Sequence, residues 1–201
     1  MYRSFKRFVD IILALIGIIV LAPFFLIIAI LIKLDSKGPV LFKQERIGLN
    51  GKTFIIYKFR SMHLDSEKEG VYETANDRRV TRIGKIIRKT SVDELPQLFN
   101  IFKGEMSFVG PRPVLTYHPW PFEKYSEKQK KRFYVRPGVT GLAQINGRKE
   151  LLWDERIEYD IAYVEKLSLK KDLKIFLKTI IKVLLMQDNV NVSKTVLETK
   201  N

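Results

Sequence analysis

Two adjacent carboxylates, Asp93 and Glu94, have the clearest chemical potential, because they follow a cluster of cations and precede apolar residues with helical spacing. We expect a helix to begin near Asp93, since Asp is a favoured N-cap, Glu is favoured in the first turn, and Pro96 is tolerated there. That structural role alone would explain both acids. The same placement suits catalysis, because the positive end of a helix keeps a carboxylate ionised and nucleophilic and also attracts phosphate.

Arginines on constrained backbone form two further clusters. In Gly110-Pro111-Arg112-Pro113 the prolines stiffen the chain and preorganise a guanidinium that suits phosphate or a stacked base, although an isolated Pro-Arg-Pro is more often a rigid turn with a solvent-exposed arginine. The second cluster runs from 135 to 148 and combines glycines with Arg136 and Arg148. Glycine-rich loops let backbone N–H groups approach phosphates, but this one lacks the spacing of a P-loop or a dinucleotide fingerprint.

The composition narrows the partners and the metal chemistry. Lys and Arg number 36 against 22 Asp and Glu, a formal net charge of +14, which indicates attraction to nucleic acid, a phosphate-bearing substrate or an acidic membrane surface. The chain has no cysteine and only His63 and His118 as histidines, which excludes disulfides, thiolate sites and a histidine-based metal centre. Any metal must therefore be held by carboxylates and phosphates, an arrangement that suits Mg²⁺.

An apolar segment from Ile11 to Ile32 precedes these clusters. As a straight helix it would measure about 33 Å, enough to cross a hydrocarbon core of roughly 30 Å, and it runs into charged residues without a cleavage site, so we expect it to be retained. Ala22-Pro23 lies in its middle and basic residues flank both ends, two features that suit a helix that bends at Pro23 and returns to the side it entered. The sequence pattern alone slightly favours a single-pass helix with a tolerated proline, and the resemblance described below reverses that order.

Shorter patterns predict the elements of the following domain. Two β-branched and aromatic runs, 40–47 and 53–59, are separated by Asn50-Gly51 and predict a hairpin. Residues 65–76 have no periodicity and predict a loop, whereas 80–90 predict a short basic helix. In a last helix, from Leu169 to Leu185, lysines recur every four residues opposite apolar side chains, so it either packs on the domain surface or lies in the membrane interface.

Taken together and in this order, the motifs resemble those of the small monotopic phosphoglycosyl transferases, bacterial sugar transferases that initiate glycan assembly on undecaprenyl phosphate. The resemblance covers nearly the whole chain. It is carried by Lys6-Arg-Phe-Val-Asp10, the central proline of the apolar segment, Phe42-Lys-Gln-Glu-Arg-Ile-Gly48, Tyr57-Lys-Phe-Arg-Ser-Met62, Asp93-Glu-Leu-Pro-Gln97, Gly110-Pro-Arg-Pro113 and Arg136-Pro-Gly-Val-Thr-Gly141. Larger relatives carry an additional membrane region ahead of this unit, so the sequence resembles the minimal form.

The resemblance implies a two-step displacement. Asp93 would attack the sugar-bearing phosphorus of a UDP-sugar, expel UMP and hold the phosphosugar until undecaprenyl phosphate accepts it. By the same likeness Glu94 would bind Mg²⁺ at the diphosphate. The resemblance also implies substrate or phosphate contacts for Lys58, Arg88, Pro111, Arg112, Pro113, Arg136 and Arg148.

The fold implied by the resemblance is α+β and mostly helical, with an N-terminal re-entrant membrane helix bent at Pro23, a small β-hairpin, and amphipathic interface helices around a compact catalytic core. We divide the chain into a basic flank with the membrane helix (1–32), a cytoplasmic catalytic domain (33–186) and a polar tail (187–201). The protein is then expected on the cytoplasmic face of the bacterial inner membrane, in contact with lipids. Ala22 stands where relatives often have serine, which removes one side chain that could satisfy the backbone at the break.

Two other classes of function fit part of the sequence. A non-catalytic basic adaptor at the membrane surface would explain the charge and the amphipathic helix, but it would not require the ordered acid, glycine and Pro-Arg-Pro motifs. A nucleic-acid-binding role is disfavoured because no reader motif is recognisable. A glycosyltransferase that passes on the sugar alone would release UDP, whereas phosphosugar transfer releases UMP. No motif identifies the sugar, the glycan pathway or the oligomeric state.

Overall fold

The computed structural model describes residues 1–66, 70, 77–147 and 151–185. Most of the predicted loop at 65–76, the predicted phosphate contact Arg148 and the predicted tail from 187 lie outside these residues. The described chain is mostly helical with small sheets, which confirms that part of the predicted fold. Its helices and strands are α1 (Tyr2–Asp35), β1 (Leu41–Ile47), β2 (Thr53–Phe59), α2 (Arg82–Lys89), α3 (Gln97–Lys103), β3 (Ser107–Val109), β4 (Val114–Leu115), α4 (Glu127–Lys130), β5 (Gly138–Thr140), α5 (Leu142–Ile145), α6 (Trp153–Glu165) and α7 (Leu169–Leu184).

The predicted membrane segment forms the middle of one helix, α1, which has 34 residues and is about 50 Å long. By length and composition it could cross a membrane. Pro23 lies inside the helix, where its missing N–H removes one backbone hydrogen bond. The helix continues through this position, and the re-entrant bend at Ala22-Pro23 stays a prediction.

One face of α1 packs against the rest of the chain along most of its length. The packed stripe consists of Ala14, Ile18, Leu21, Phe25, Ile28 and Ile32. Residues spaced by three or four positions share one side of a helix, so this stripe is continuous. Its first part packs on the cluster of β2 and α3, and its last part packs on Phe59 and Ile87. Apart from polar and basic residues near its two ends, the remaining surface of α1 is mostly apolar and exposed. It includes Phe8, Ile12, Leu15, Ile16, Ile19, Val20, Leu26, Ile27 and Leu34.

Both ends of α1 are tied to the rest of the chain by polar contacts. Near its start, the Tyr2 hydroxyl and the Lys6 ammonium donate to Asp172 Oδ2 on α7 at 2.6 and 2.5 Å. At its end, Asp35 Oδ2 accepts from the backbone N–H of Ile83, the second residue of α2, at 2.9 Å. The two ends of the apolar helix therefore contact one and the same folded unit.

The predicted hairpin is confirmed, with β1 and β2 antiparallel and Leu41 opposite Phe59. The order β2-β1-β4 leaves one side of β2 without a strand partner in this sheet. Asn100 of α3 occupies that edge: its Oδ1 accepts from Tyr57 N at 3.0 Å and its Nδ2 donates to Ile55 O at 2.6 Å. The buried Asn100 amide thus gives one N–H and one carbonyl of β2 the hydrogen bonds that a neighbouring strand would provide, and it joins α3 to β2.

The last two helices complete the core. Tyr163 of α6 and Ile175 of α7 are buried with Val109 and Ile145, and the Tyr163 hydroxyl donates to Asp172 Oδ1 at 2.8 Å. The predicted helix at 169–185 is confirmed as α7. Its outward side exposes Leu169, Leu173, Leu177, Ile180, Ile181 and Leu184.

Candidate active site

The adjacent acids lie in a single 3₁₀ turn, Val92–Glu94, that follows α2 and leads into α3. Ser91, in the left-handed region at φ 58°, separates α2 from this turn. The expectation that Asp93 caps the helix is wrong, because α3 begins at Gln97 after Pro96 and has no side-chain cap. The backbone bonds here join residues three apart: Glu94 N donates to Ser91 O at 3.2 Å and Leu95 N donates to Val92 O at 3.1 Å. They close a 3₁₀ turn and not the first turn of an α-helix.

Glu94 is held by two cations from distant parts of the chain. Lys58 Nζ on β2 and Arg112 Nη2 lie 2.8 and 2.7 Å from the same oxygen, Glu94 Oε1. The Glu94 side chain is only 12% exposed. Burial alone would raise its pKa, but Arg112 and Lys58 outweigh burial and hold the pKa of Glu94 well below its usual range. Glu94 is therefore a permanent anion at neutral pH.

The pKa of Asp93 is shifted in the opposite direction to that of Glu94. Burial raises the pKa of Asp93 to about 6; the charge of Glu94 adds to this rise, while Lys58, Arg88 and Arg112 oppose it. At pH 7 such a carboxyl is about nine-tenths ionised and more basic than an ordinary aspartate. A basic but ionised carboxylate is what nucleophilic attack at phosphorus requires.

Three predicted phosphate contacts, Lys58, Arg88 and Arg112, lie around the pair of adjacent acids Asp93 and Glu94, which we call the dyad. Lys58 comes from β2, Arg88 from the last turn of α2, and Arg112 from the segment before β4, and each is close enough to lower the pKa of Asp93. Among the described residues, three cations face these two carboxylates, so this part of the site has a surplus of positive charge. That surplus suits a phosphate-bearing ligand.

The Pro-Arg-Pro segment is largely buried and is held by hydrogen bonds to its backbone carbonyls, so it is not a solvent-exposed turn. Pro111 and Pro113 are buried, whereas the Arg112 side chain is 42% exposed and reaches Glu94. Three successive carbonyls accept hydrogen bonds: Pro111 O from Gly138 N at 2.9 Å, Arg112 O from Arg132 Nη2 at 3.1 Å and Pro113 O from Arg46 Nη1 at 3.3 Å. The segment carries Arg112 on a fixed backbone.

The glycine-rich cluster has a structural explanation over its described part. A Cβ on Gly138 would lie 2.1 Å from the backbone of Gly110, so these glycines allow β3 and β5 to approach closely. Arg136 Nε donates to the carbonyl of Gly104 at 2.7 Å, beyond the far end of α3 from the dyad. The structure thus does not bring Arg136 into contact with Glu94, and its predicted phosphate contact stays a prediction, as does that of Arg148 outside the described residues.

Asn100 and Arg132 are functional candidates that sequence reasoning missed. Asn100 fixes β2 beside Lys58, and Arg132 binds the Arg112 backbone. A polar residue within the apolar run of α3 is a weak signal for Asn100. No local pattern marks Arg132.

The dyad fits a magnesium ion only if the substrate supplies most ligands. In the part of the chain that the structure describes, no group of three or more Asp, Glu, His or Cys side chains could hold a metal. Asp93 and Glu94 offer two carboxylates, and Mg²⁺ is often held by one or two carboxylates together with substrate phosphates and water. The donor chemistry therefore matches Mg²⁺ bound with a diphosphate.

Comparison with known proteins gives consistent similarities. The bacterial sugar transferase family model matches residues 1–186. The chain is 45% identical over 184 residues to the UDP-glucose:undecaprenyl-phosphate glucose-1-phosphate transferase of Klebsiella pneumoniae, covering 89% of this chain and 40% of the relative. It is also 45% identical to the UDP-N-acetylgalactosamine-undecaprenyl-phosphate N-acetylgalactosaminephosphotransferase of Aeromonas hydrophila (89% of this chain, 43% of the relative). The exopolysaccharide production protein PSS of Rhizobium leguminosarum bv. phaseoli is 45% identical as well (88% and 93%). The chain thus spans about two-fifths of the first two relatives and most of the third.

Proposed function

The chain belongs to the bacterial sugar transferase family, and on that basis we propose that it transfers a sugar-1-phosphate from a UDP-sugar to undecaprenyl phosphate with release of UMP. The names of the Klebsiella and Aeromonas relatives suggest the donor and acceptor classes. The observation that carries the proposal is the divergence of the two adjacent acids: burial raises the pKa of Asp93 to about 6, while Glu94 is locked as an anion by two cations. The product would begin the assembly of a polysaccharide or another glycoconjugate.

Asp93 is the nucleophile in this proposal. Its carboxylate attacks the phosphorus that bears the sugar, a new bond forms between the carboxylate oxygen and phosphorus, and the bond to the bridging oxygen of the diphosphate breaks to release UMP. An oxygen of undecaprenyl phosphate then attacks the same phosphorus and displaces the Asp93 carboxylate. The two displacements yield a lipid-linked diphosphate sugar and restore the free acid.

The surrounding cations bind and orient the diphosphate. Arg112, with its fixed backbone and half-exposed fork, is suited to hold a phosphate oxygen, and Lys58 and Arg88 add positive charge beside it. Glu94 orients Lys58 and Arg112 through one shared oxygen. Glu94 would also hold Mg²⁺ with the substrate phosphates, and the bound ion would neutralise negative charge on the departing UMP.

We place the protein on the cytoplasmic side of the inner membrane, with α1 inserted from that side. Both ends of α1 bind the same folded unit through Asp172 and Ile83, which supports both ends lying on one side of the bilayer. Basic residues beside both ends favour the cytoplasmic side. The exposed apolar surfaces of α1 and α7 would then face lipid.

The nucleotide product tests the reaction. Purified protein would be incubated with undecaprenyl phosphate, Mg²⁺ and, in separate reactions, UDP-glucose, UDP-galactose or UDP-N-acetylgalactosamine, and the nucleotides separated by chromatography. We expect UMP from at least one donor. UDP as the sole product would support transfer of the sugar alone, and no nucleotide release from any donor by protein that still binds vesicles would support the adaptor.

The covalent step needs its own measurement. Intact-protein mass spectrometry after exposure to the productive donor without lipid acceptor should show an added sugar-phosphate mass. Asp93→Asn should show none, whereas Asp154→Asn, the same change at an exposed position of α6, should behave as the parent. An active parent that never carries the added mass would exclude the aspartyl intermediate.

A further inference from the structure

A fully buried ion pair lies behind the Pro-Arg-Pro segment. Arg132, in the 3₁₀ turn Lys131–Phe133, donates to Asp160 Oδ2 of α6 through Nε at 3.1 Å and through Nη2 at 2.7 Å. Both side chains are 2% exposed. Neither residue touches the dyad, and the two are 28 positions apart in the chain.

Stability is a poor explanation for this pair. Removing two charges from water is unfavourable, and buried ion pairs can often be replaced by apolar residues of similar volume with little or no loss of stability. The pair borders the cluster of Phe133, Tyr125, Ile157 and Ile161, with Arg132 over the Phe133 ring and beside the Tyr125 hydroxyl. A charged pair at this place therefore calls for a second role.

A second role is indicated by a further hydrogen bond of Arg132, to the Pro-Arg-Pro segment. Its Nη2 also donates to the carbonyl oxygen of Arg112 at 3.1 Å. Proline rings fix φ at Pro111 and Pro113. Pro113 confines ψ of Arg112 to the broad extended range without fixing it, and the direction of the Arg112 carbonyl reports that angle. The bond from Arg132 holds the peptide in the orientation from which the Arg112 side chain reaches Glu94.

We infer that Arg132, oriented by Asp160, is a positioning residue that fixes the backbone of Arg112 and so aims the Arg112 guanidinium at the dyad and the diphosphate. This inference rests on the proposed function of the dyad. Asp160 fixes the Arg132 fork, the fork fixes the Arg112 peptide, and the peptide fixes the phosphate-binding side chain. Arg132 also lines, with Pro111, Arg112 and Pro113, the cleft beside this segment.

Two variants separate positioning from support of the fold. Arg132→Lys keeps a cation for Asp160 but loses the planar fork that bonds Asp160 and the Arg112 carbonyl together. The double variant Arg132→Met with Asp160→Leu removes both charges and keeps side chains of similar length. We expect both to stay folded, with a Tm close to the parent's, and to lose ~10- to 100-fold in kcat for UMP release, since a misplacement of about 1 Å can have this effect.

The matched control is the surface pair between the same two elements. Lys131 and Glu165 lie 2.8 Å apart and are about half exposed, and Lys131→Met with Glu165→Leu should leave kcat and KM unchanged. A double variant of the buried pair that keeps both the Tm and the kcat of the parent would overturn the inference. If that double variant is unstable, Arg132→Lys decides by the same criterion.

A cycle with Arg112 gives a readout that a purely structural role would not move. In the Arg112→Ala background, Arg132→Lys should cause no further loss of kcat, because the side chain that it positions is absent. An undiminished loss in that background would overturn the inference.

Hydrogen–deuterium exchange separates this inference from the proposed reaction. The segment from Gly110 to Leu115 should exchange faster in Arg132→Lys than in the parent, with α6 and β1 unchanged, whether or not the parent releases UMP. If the segment exchanges faster in Arg132→Lys but the parent releases no UMP, the proposed reaction is rejected and the positioning role is kept. Unchanged exchange together with unchanged kcat in an active protein would reject the positioning role and keep the reaction.

Discussion

Replacing Asp93 with asparagine should raise the thermal stability of the protein at pH 8 while abolishing turnover. Burial raises the pKa of Asp93 from its ordinary 3.8 to about 6 in the folded protein. The folded state thus binds this proton more tightly than the unfolded chain, and at pH 8 the ionised carboxylate destabilises the fold. The pKa difference corresponds to about 3 kcal/mol, at about 1.4 kcal/mol for each tenfold change in proton affinity. Asparagine has no charge and removes this penalty.

The pH dependence of the gain tests its cause. Because the pKa is raised on folding, the penalty is fully present above about pH 7, shrinks as the pH falls through 6 and towards 3.8, and is gone only below that value, where folded and unfolded states are both protonated. In a protein of this size, 3 kcal/mol corresponds to a Tm difference of roughly 6–12 °C. Thermal unfolding of the parent and Asp93→Asn in the same detergent at pH 8, 6 and 4.5 should show a difference that decreases at each step.

Glu94→Gln is the matched control, because the neighbouring acid has the opposite electrostatics. Burial acts against its charge, yet Arg112 and Lys58 hold the pKa of Glu94 well below its usual range. Its ionised form therefore stabilises the fold, and removing the charge should lower the Tm at pH 8. A Tm of Asp93→Asn at pH 8 equal to or below that of the parent, or a gain that does not change with pH, would refute the reasoning.

The other predictions concern the catalytic rate, the hydrogen bonds of Asn100 to the edge of β2, and the membrane topology of α1. The acid limb of kcat/KM for UMP release between pH 5 and 8 should have its midpoint near 6, because only ionised Asp93 attacks; a flat profile would contradict this. Arg112→Ala should lower kcat ~10²- to 10³-fold without lowering the Tm by more than a few degrees, and near-normal kcat would remove Arg112 from the site. Asn100→Leu should reduce the free energy of unfolding in denaturant titrations by ~1–3 kcal/mol, because an N–H and a carbonyl of β2 lose their partner; an unchanged midpoint would contradict this. Cysteines placed at Arg3 and Lys37 should react with an impermeant label from the same side of sealed vesicles, and labelling from opposite sides would indicate a spanning helix.

Local chemistry accounts for the elements that sequence patterns predicted well. The hairpin turn places Asn50 and Gly51 at φ 55° and 78°, the left-handed angles that an Asn-Gly pair favours. Both amphipathic helices, α2 and α7, lie within the predicted ranges because their periodicity and their caps, Thr81 and Ser168, are local features. The predicted helix start at Asp93 is wrong, because the chain forms a 3₁₀ turn at Val92–Glu94 and α3 begins only at Gln97.

The contacts that assemble the site have no comparable sequence signal. Lys58 and Arg112 could be assigned to phosphate through family resemblance, but their convergence on one oxygen of Glu94 depends on how β2 and the Pro-Arg-Pro segment pack. The bond from Asn100 to β2 spans 43 positions and the bond from Arg132 to Arg112 spans 20. Such partners are brought together by the tertiary fold, and neither hydrophobic periodicity nor turn chemistry reports on them.

The difference in pKa between the two neighbouring acids follows from which of them the cations reach. Both acids are part of one turn and both lose water on folding, which alone would raise both pKa values. Lys58 and Arg112 donate hydrogen bonds to Glu94. The same two cations act on Asp93 only through their charge, which lowers its pKa, while the charge of Glu94 raises it. Glu94 is thereby fixed as an anion that orders the cations, and Asp93 keeps the basicity that the proposed attack on phosphorus would need. Two titrating groups whose surroundings push their pKa values apart are a general mark of separate catalytic roles, and here the separation arises from the two cations that meet at a single oxygen of Glu94.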